Sequence, residues 1–186
     1  MTAPKPYADS RRRVRDLLRE CGAGEDRLRI GVHLGAAYGP AKVWARERVV
    51  DFCRRAPERG MLPVLLGAPS DVPAADDVMR QVRVASLVGR DSPDLLPAVL
   101  TEIAALVSGD TGVAHLAAAL GTPVVALFGP TDPALSAPLG SVAVMRHSVP
   151  CAPCFYRACP SDHPCMRGIG ADAVGDEIDA LLSRPA

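Results

Sequence analysis

Apolar residues recur along this chain with two spacings, and the alternation between them sets out the fold. Val14, Leu17, Leu18 and Cys21 fall at i, i+3, i+4 and i+7, one stripe of a helix predicted over residues 11–21 with Ser10 at its cap. Gly22 and Gly24 break it, and an apolar run over 28–34 reads as the first strand. The alternation continues with a helix over 46–58 that carries Val49, Val50, Phe52 and Cys53, a strand over 62–66, a helix over 73–82 and a strand over 84–88. Ser92 and Pro93 read as cap and first turn of a helix reaching Ile103. Strands follow over 105–107, 124–128 and 142–145, with a helix over 113–120 that ends on Gly121 and a final helix over 171–182. Strands alternating with helices imply a mostly parallel sheet covered on both faces, an α/β layered domain. Residues 1–9 read as a linker or disordered start, 1–27 as linker plus helix, and 28–186 as one domain.

Composition narrows the classes. Hydrophobic residues make up 48% and aromatic residues 4%, so the core is expected to be built from Ala, Val and Leu. Lys plus Arg and Asp plus Glu are 21 each, a formal net charge of zero, which argues against nucleic acid as a partner because phosphate neutralisation needs a basic surface. No apolar run reaches the roughly 18 residues that span a bilayer. The opening MTAPKPYADSRRR lacks the apolar region of a signal peptide, so a cytoplasmic protein with mostly reduced cysteines is expected. Arg11, Arg12, Arg13, Arg15 and Arg19 read as a solvated helix face, with peripheral contact to an anionic membrane as the sharper alternative.

Candidate chemistry concentrates in residues 108–133. Gly109-Asp110-Thr111-Gly112 is a small turn that opens a helix, and such a start offers unpaired backbone N–H groups at the positive end of a helix dipole. That is a ready site for an anion such as a diphosphate. Thr111, Gly112 and Val113 are the candidate amide donors, His115 follows on the first turn, and Asp110 is either an N-cap or a functional carboxylate. A second glycine-containing turn, Gly35 to Lys42, follows the first strand, where open α/β sheets place ligands. It is neither a P-loop nor a G-x-G-x-x-G fingerprint, but Lys42 can bring a cation to a phosphate there. Trp44, the single tryptophan, is assigned to packing. Asp71 lies in the loop after the second strand and on its own reads as an N-cap for the next helix.

Cys151, Cys154, Cys159 and Cys165 crowd into a loop with His163 among them. Three readings stand: a structural Zn²⁺ site, packed reduced thiols, or disulfides in a loop too short for its own core. An iron–sulfur site would need a redox role that nothing else supplies. Pro150-Cys151-x-x-Cys154 resembles half of a zinc deaminase signature, but neither His33 nor His115 is followed by the H-x-E glutamate, which excludes that class.

Three separated motifs, in order, resemble the heptosyltransferases, the family 9 glycosyltransferases of the glycosyltransferase-B fold. They are Gly39-Pro40-Ala41-Lys42-x-Trp44, then Asp110-Thr111-Gly112 with His115 and the run Ala117 to Pro123, then Phe128-Gly129-Pro130-Thr131, with the cysteine segment beyond. The resemblance covers nearly the whole chain from about residue 29 and corresponds to the family's C-terminal, donor-binding half, a Rossmann-like three-layer sandwich. It implies transfer of heptose from an ADP-activated donor to a lipopolysaccharide-type acceptor, with inversion and no required cofactor. It implies a donor site made of Gly39, Lys42, Asp71, Asp110, Thr111, Gly112, Val113 and His115, with Lys42 on the diphosphate and Asp71 on the ribose, where the family more often has Glu. The family's general base lies in its N-terminal domain, so this chain is expected to bind nucleotide-sugar and to need an acceptor-binding half or partner chain for efficient transfer. A non-catalytic nucleotide-sugar binding module and another glycosyltransferase-B enzyme are the alternatives.

Overall fold

The computed structural model of this chain describes residues 8–24, 27–90 and 92–183. Six strands form one sheet: β1 (Leu28–His33), β2 (Met61–Leu66), β3 (Ala85–Ser86), β4 (Ala105–Gly109), β5 (Val124–Phe128) and β6 (Val142–Arg146). Their order is β3-β2-β1-β4-β5-β6, and every pair is parallel. β1 runs against β2 from Leu28↔Met61 to His33↔Leu66, and against β4 from Ile30↔Ala105 to Val32↔Val107. Chain order therefore leaves β1 in opposite directions, outward to β2 and β3 on one side and to β4, β5 and β6 on the other.

The helices are α1 (Ala8–Glu20), α2 (Arg46–Arg55), α3 (Val72–Met79), α4 (Leu96–Thr101), α5 (Gly112–Ala119), α6 (Pro133–Ser136), α7 (Pro164–Arg167) and α8 (Ala171–Leu182). Successive residues of a strand point to opposite faces, so one strand feeds two cores. Ile30, Val32, Ala105, Val107, Val125 and Leu127 pack with α2, α3, α7 and α8. Val64, Leu66, Leu106, Val124, Ala126 and Phe128 pack with α1, α4 and α5. Nearly all of these side chains are out of water, and each contributes roughly 1.5–3 kcal/mol for the larger ones. The continuous apolar reading of β5 follows from this, since both of its faces are covered.

Several local expectations change. Ser10 lies inside α1 and does not cap it, and Ala8 and Asp9 of the predicted linker are already helical, while residues 1–7 lie outside the described residues. Arg11 and Arg15 are not merely solvated: both reach the Glu102 carboxylate, at 2.8 and 3.1 Å, and tie α1 to the end of α4. The helix predicted from Pro93 begins only at Leu96. Pro97 has no N–H to give the carbonyl of Pro93, so a helix continuous from Pro93 would lack that bond, and a turn closed by Leu95 and Leu96 onto the Ser92 carbonyl replaces it. α2 is shorter than predicted because Pro57 tightens its end into a 3-10 turn over Ala56–Arg59. Among the described residues no helix is long and apolar enough to cross a membrane.

Candidate functional site

The strand order reverses between β1 and β4, and open α/β sheets form a crevice at the carboxyl ends of the strands at such a point. Here the crevice has a volume of about 710 Å³. Its walls come from the loop after β1, the loop after β2 and the β4–α5 turn. Lys42, Asp71, Asp110, Thr111, Gly112, Val113 and His115 all line it, so seven predicted residues separated by up to seventy-odd positions meet in one cleft. Gly39 does not line it. Its φ of 150° and its close approach to the Arg157 carbonyl, which a Cβ would meet at 2.4 Å, give it a role in shaping the Lys42 loop.

Asp110 is the hub. Its Oδ2 accepts from Lys42 Nζ at 2.5 Å, from Thr131 Oγ1 at 2.8 Å and from Ser136 Oγ at 3.2 Å. The Lys42 ammonium also donates to the Asp110 carbonyl at 3.2 Å and sits 4.6 Å from the centre of the Tyr38 ring. The side chains of Lys42 and Asp110 are only 11% and 6% exposed, so this pair is held in a low-dielectric setting. The capping role considered for Asp110 does not hold. Thr111 occupies the N-cap position of α5, at φ −139°, and makes no side-chain cap bond. Its hydroxyl instead pairs with Ser108 at 2.9 Å. The Thr111 carbonyl already receives Ala114 and His115. The amides of Gly112 and Val113 stand in the first turn, where the helix supplies no acceptor. A cation and uncapped amides thus share one wall.

Close backbone approach makes this possible. A Cβ at Gly109 would lie 2.3 Å from the Lys42 carbonyl oxygen, so only glycine lets the end of β4 pass under the Lys42 loop. Asp71 does not cap α3 through its side chain. Its Oδ2 reaches back to the Ala68 amide at 2.8 Å, which fixes the carboxylate in the cleft wall. His33, at the end of β1, also lines the cleft. Its Nδ1 is buried without a hydrogen-bond partner. Burial pushes the His33 pKa below its ordinary value, and the Asp71 charge opposes that in part. Trp44 is buried, donates its Nε1 to the Ile169 carbonyl at 3.1 Å and packs against Phe52, as expected of a packing residue.

The cysteine loop meets the cleft through hydrogen bonds. Among the described residues no group of three or more His, Cys, Asp or Glu side chains is arranged to hold a metal ion. The zinc reading of Cys151, Cys154, Cys159 and Cys165 gains no support from this arrangement. Cys165 is buried on α7 against Gly129 while Cys151 is exposed, and all six cysteines are free. Burial pushes the Cys165 thiol up, and the nearby Cys159 and Cys151 add to this. The loop is laced to both banks of the site. The Pro130 carbonyl accepts the amides of Cys154 and Phe155, the Arg157 carbonyl accepts the Ala41 amide, and Tyr38 Oη donates to the Phe155 carbonyl. Thr131, Ser136, Tyr38 and Arg157 are the residues that sequence reasoning did not assign a role. Only Thr131, inside a quoted motif, carried any signal.

The fold and its cleft define a doubly wound α/β domain with a ligand-sized crevice at its switch point. Residues 3–164 match the model of glycosyltransferase family 9 (heptosyltransferase), and the chain belongs to that family. It is 32% identical over 168 residues to lipopolysaccharide heptosyltransferase 2 of Escherichia coli (strain K12), covering 84% of this chain and 47% of that protein. The solved E. coli ADP-heptose lps heptosyltransferase II shares the fold with a TM-score of 0.80 at 24% identity, over 97% of this chain and 53% of the other. The E. coli heptosyltransferase WaaC solved with ADP gives a TM-score of 0.66 at 26% identity, over 84% of this chain and 45% of the other. The chain thus spans about half the length of the relatives it matches.

Proposed function

We propose that residues 28–186 form the donor-binding domain of an inverting glycosyltransferase that takes an ADP-heptose-type donor and serves a lipopolysaccharide-type acceptor at the cytoplasmic face of the membrane. One observation carries this reading: the Lys42 ammonium and the uncapped amides of Gly112 and Val113 line the same cleft. A diphosphate laid on that wall would meet backbone donors at a helix start and a cation beside them. As the nucleotide leaves, its diphosphate gains charge, and donors already in place stabilise it without reorganising. Asp71, held by Ala68, faces the cleft where a ribose would lie. His115 would meet phosphate or sugar from the first helical turn. The ADP in the related solved protein supports the choice of nucleotide.

The base that deprotonates the acceptor is assigned outside this chain, to an acceptor-binding half or partner. Asp71 and Asp110 are the carboxylates lining the cleft, and both are engaged, Asp71 by the Ala68 amide and Asp110 by Lys42, Thr131 and Ser136. The same observation favours the second reading, a nucleotide-sugar binding module without transfer activity of its own. Calorimetry with ADP, UDP and GDP on the wild type and Lys42→Ala tests the first part. ADP is expected to bind best and to lose affinity in the variant. Equal binding of all three nucleotides, or an unchanged ADP affinity in Lys42→Ala, would remove the basis for the proposal. Adding the acceptor half restores transfer in the first reading and not in the second.

A further inference from the structure

Lys42 has two claimants in this reading. It is held by the Asp110 carboxylate, at 2.5 Å. A bound diphosphate would compete for the same ammonium. If Lys42 leaned towards the ligand and Asp110 had no other donor, a nearly buried carboxylate would be stripped of its partner, which is costly. The structure supplies other donors. Thr131 Oγ1 and Ser136 Oγ both reach the same oxygen, Oδ2, at 2.8 and 3.2 Å. Neither residue lines the cleft. They come from the turn after β5 and from α6.

We propose that Thr131 and Ser136 are positioning residues that hold the Asp110 carboxylate while Lys42 shifts its hydrogen bonds to a nucleoside diphosphate, so that the Lys42–Asp110 pair acts as a releasable latch. The inference rests on the donor-site reading above and adds to it two residues that never touch the ligand. Hydroxyls suit the task because each can give its one proton to the carboxylate without bringing a charge that would repel Lys42. With them absent, Asp110 keeps a tighter claim on the ammonium, and the ligand must do without part of it.

The test is calorimetry with ADP on the wild type, Thr131→Val, Thr131→Ser, Ser136→Ala and the pair Thr131→Val/Ser136→Ala, each in the wild-type and the Lys42→Ala background. Thermal melts identify any variant that fails to fold, and Ser136→Ala, at a partly exposed position, is the mild variant that keeps the test alive. The pair is expected to weaken ADP binding about tenfold, from loss of donors to a charged acceptor. Thr131→Ser is expected to stay near the wild type, and the pair to add nothing once Lys42 is gone. An unchanged affinity in the pair, a Thr131→Ser as weak as Thr131→Val, or a full penalty persisting without Lys42 would overturn the latch and leave the donor site standing. An ADP affinity indifferent to Lys42→Ala would overturn the donor site itself.

Discussion

Gly112→Ala separates the ligand from the scaffold. Gly112 opens α5, and a Cβ built there meets no atom within 4 Å. The added methyl therefore costs the fold nothing in packing. It gains up to about 0.5–1 kcal/mol, because alanine loses less freedom than glycine in a helix, or a rise of about 1–4 °C in melting temperature for a chain of this size. The backbone N–H remains. What changes is the surface a diphosphate must approach: Gly112 lines the cleft, so the methyl adds bulk to that wall. Keeping a phosphate oxygen off this amide removes one charge-assisted hydrogen bond, about 1.5–3 kcal/mol, which is about 10–150-fold in ADP affinity. Gly109→Ala is the contrast. Its Cβ would sit 2.3 Å from the Lys42 carbonyl oxygen, a backbone atom, so the β4 end or the Lys42 loop must move by about an ångström. Such overpacking costs about 1–3 kcal/mol, a fall of about 2–12 °C, and misplaces Lys42 as well. Calorimetric melts and ADP titrations on both variants read the two effects apart. If Gly112→Ala melts as high as the wild type and binds ADP as tightly, the diphosphate does not lie on this turn and the reasoning is refuted.

Three further outcomes are expected. Asp71→Asn should weaken ADP binding and, compared side by side, erase the preference for ADP over 2′-deoxy-ADP; a preference that survives would take the ribose away from Asp71. His33 is buried and its pKa lies below the unfolded value of 6.5, so the unfolded chain binds the extra proton first and stability falls as pH drops through 6.5 towards the folded pKa. Melting temperatures between pH 7.5 and 5 should therefore decline more steeply in the wild type than in His33→Gln, and parallel curves would contradict this. Finally, the Cys53 thiol is buried and pushed up to about 12, whereas Cys151 is exposed. A thiol-reactive disulfide reagent should modify Cys151 rapidly in the native protein and Cys53 only on unfolding, with mass mapping of the labelled peptides as the readout.

How much of this was legible depended on how local the cause is. β5, residues Val124–Phe128, and α8, Ala171–Leu182, match their predicted limits because their burial is written in their own periodicity and in the glycine and proline that bound them. α4 was not, because Ser92-Pro93 looks like a helix start until the missing N–H of Pro97 is counted. β3 shrank to Ala85–Ser86 at the sheet edge. Of the site, the helix-start amides and Lys42 could be named from turn chemistry and from the resemblance. The bonds that organise them could not. Lys42 and Asp110 are 68 positions apart, Thr131 and Asp110 are 21, and Ser136 and Asp110 are 26, so no local pattern announces any of them. Asp110 is a case in point: its neighbours predict a cap as readily as a hub, and only the fold decides.

The lacing of the cysteine loop has a further implication. One hydrogen bond joins the Arg157 carbonyl to Ala41, beside Lys42, and two join Pro130, beside Thr131, to Cys154 and Phe155. A segment more than a hundred positions downstream of Lys42 is therefore a splint across the two arms that the proposed function assigns to the donor. On that proposal, sequence drift or chemical damage there would alter the grip on the nucleotide while every group that touches it stayed the same.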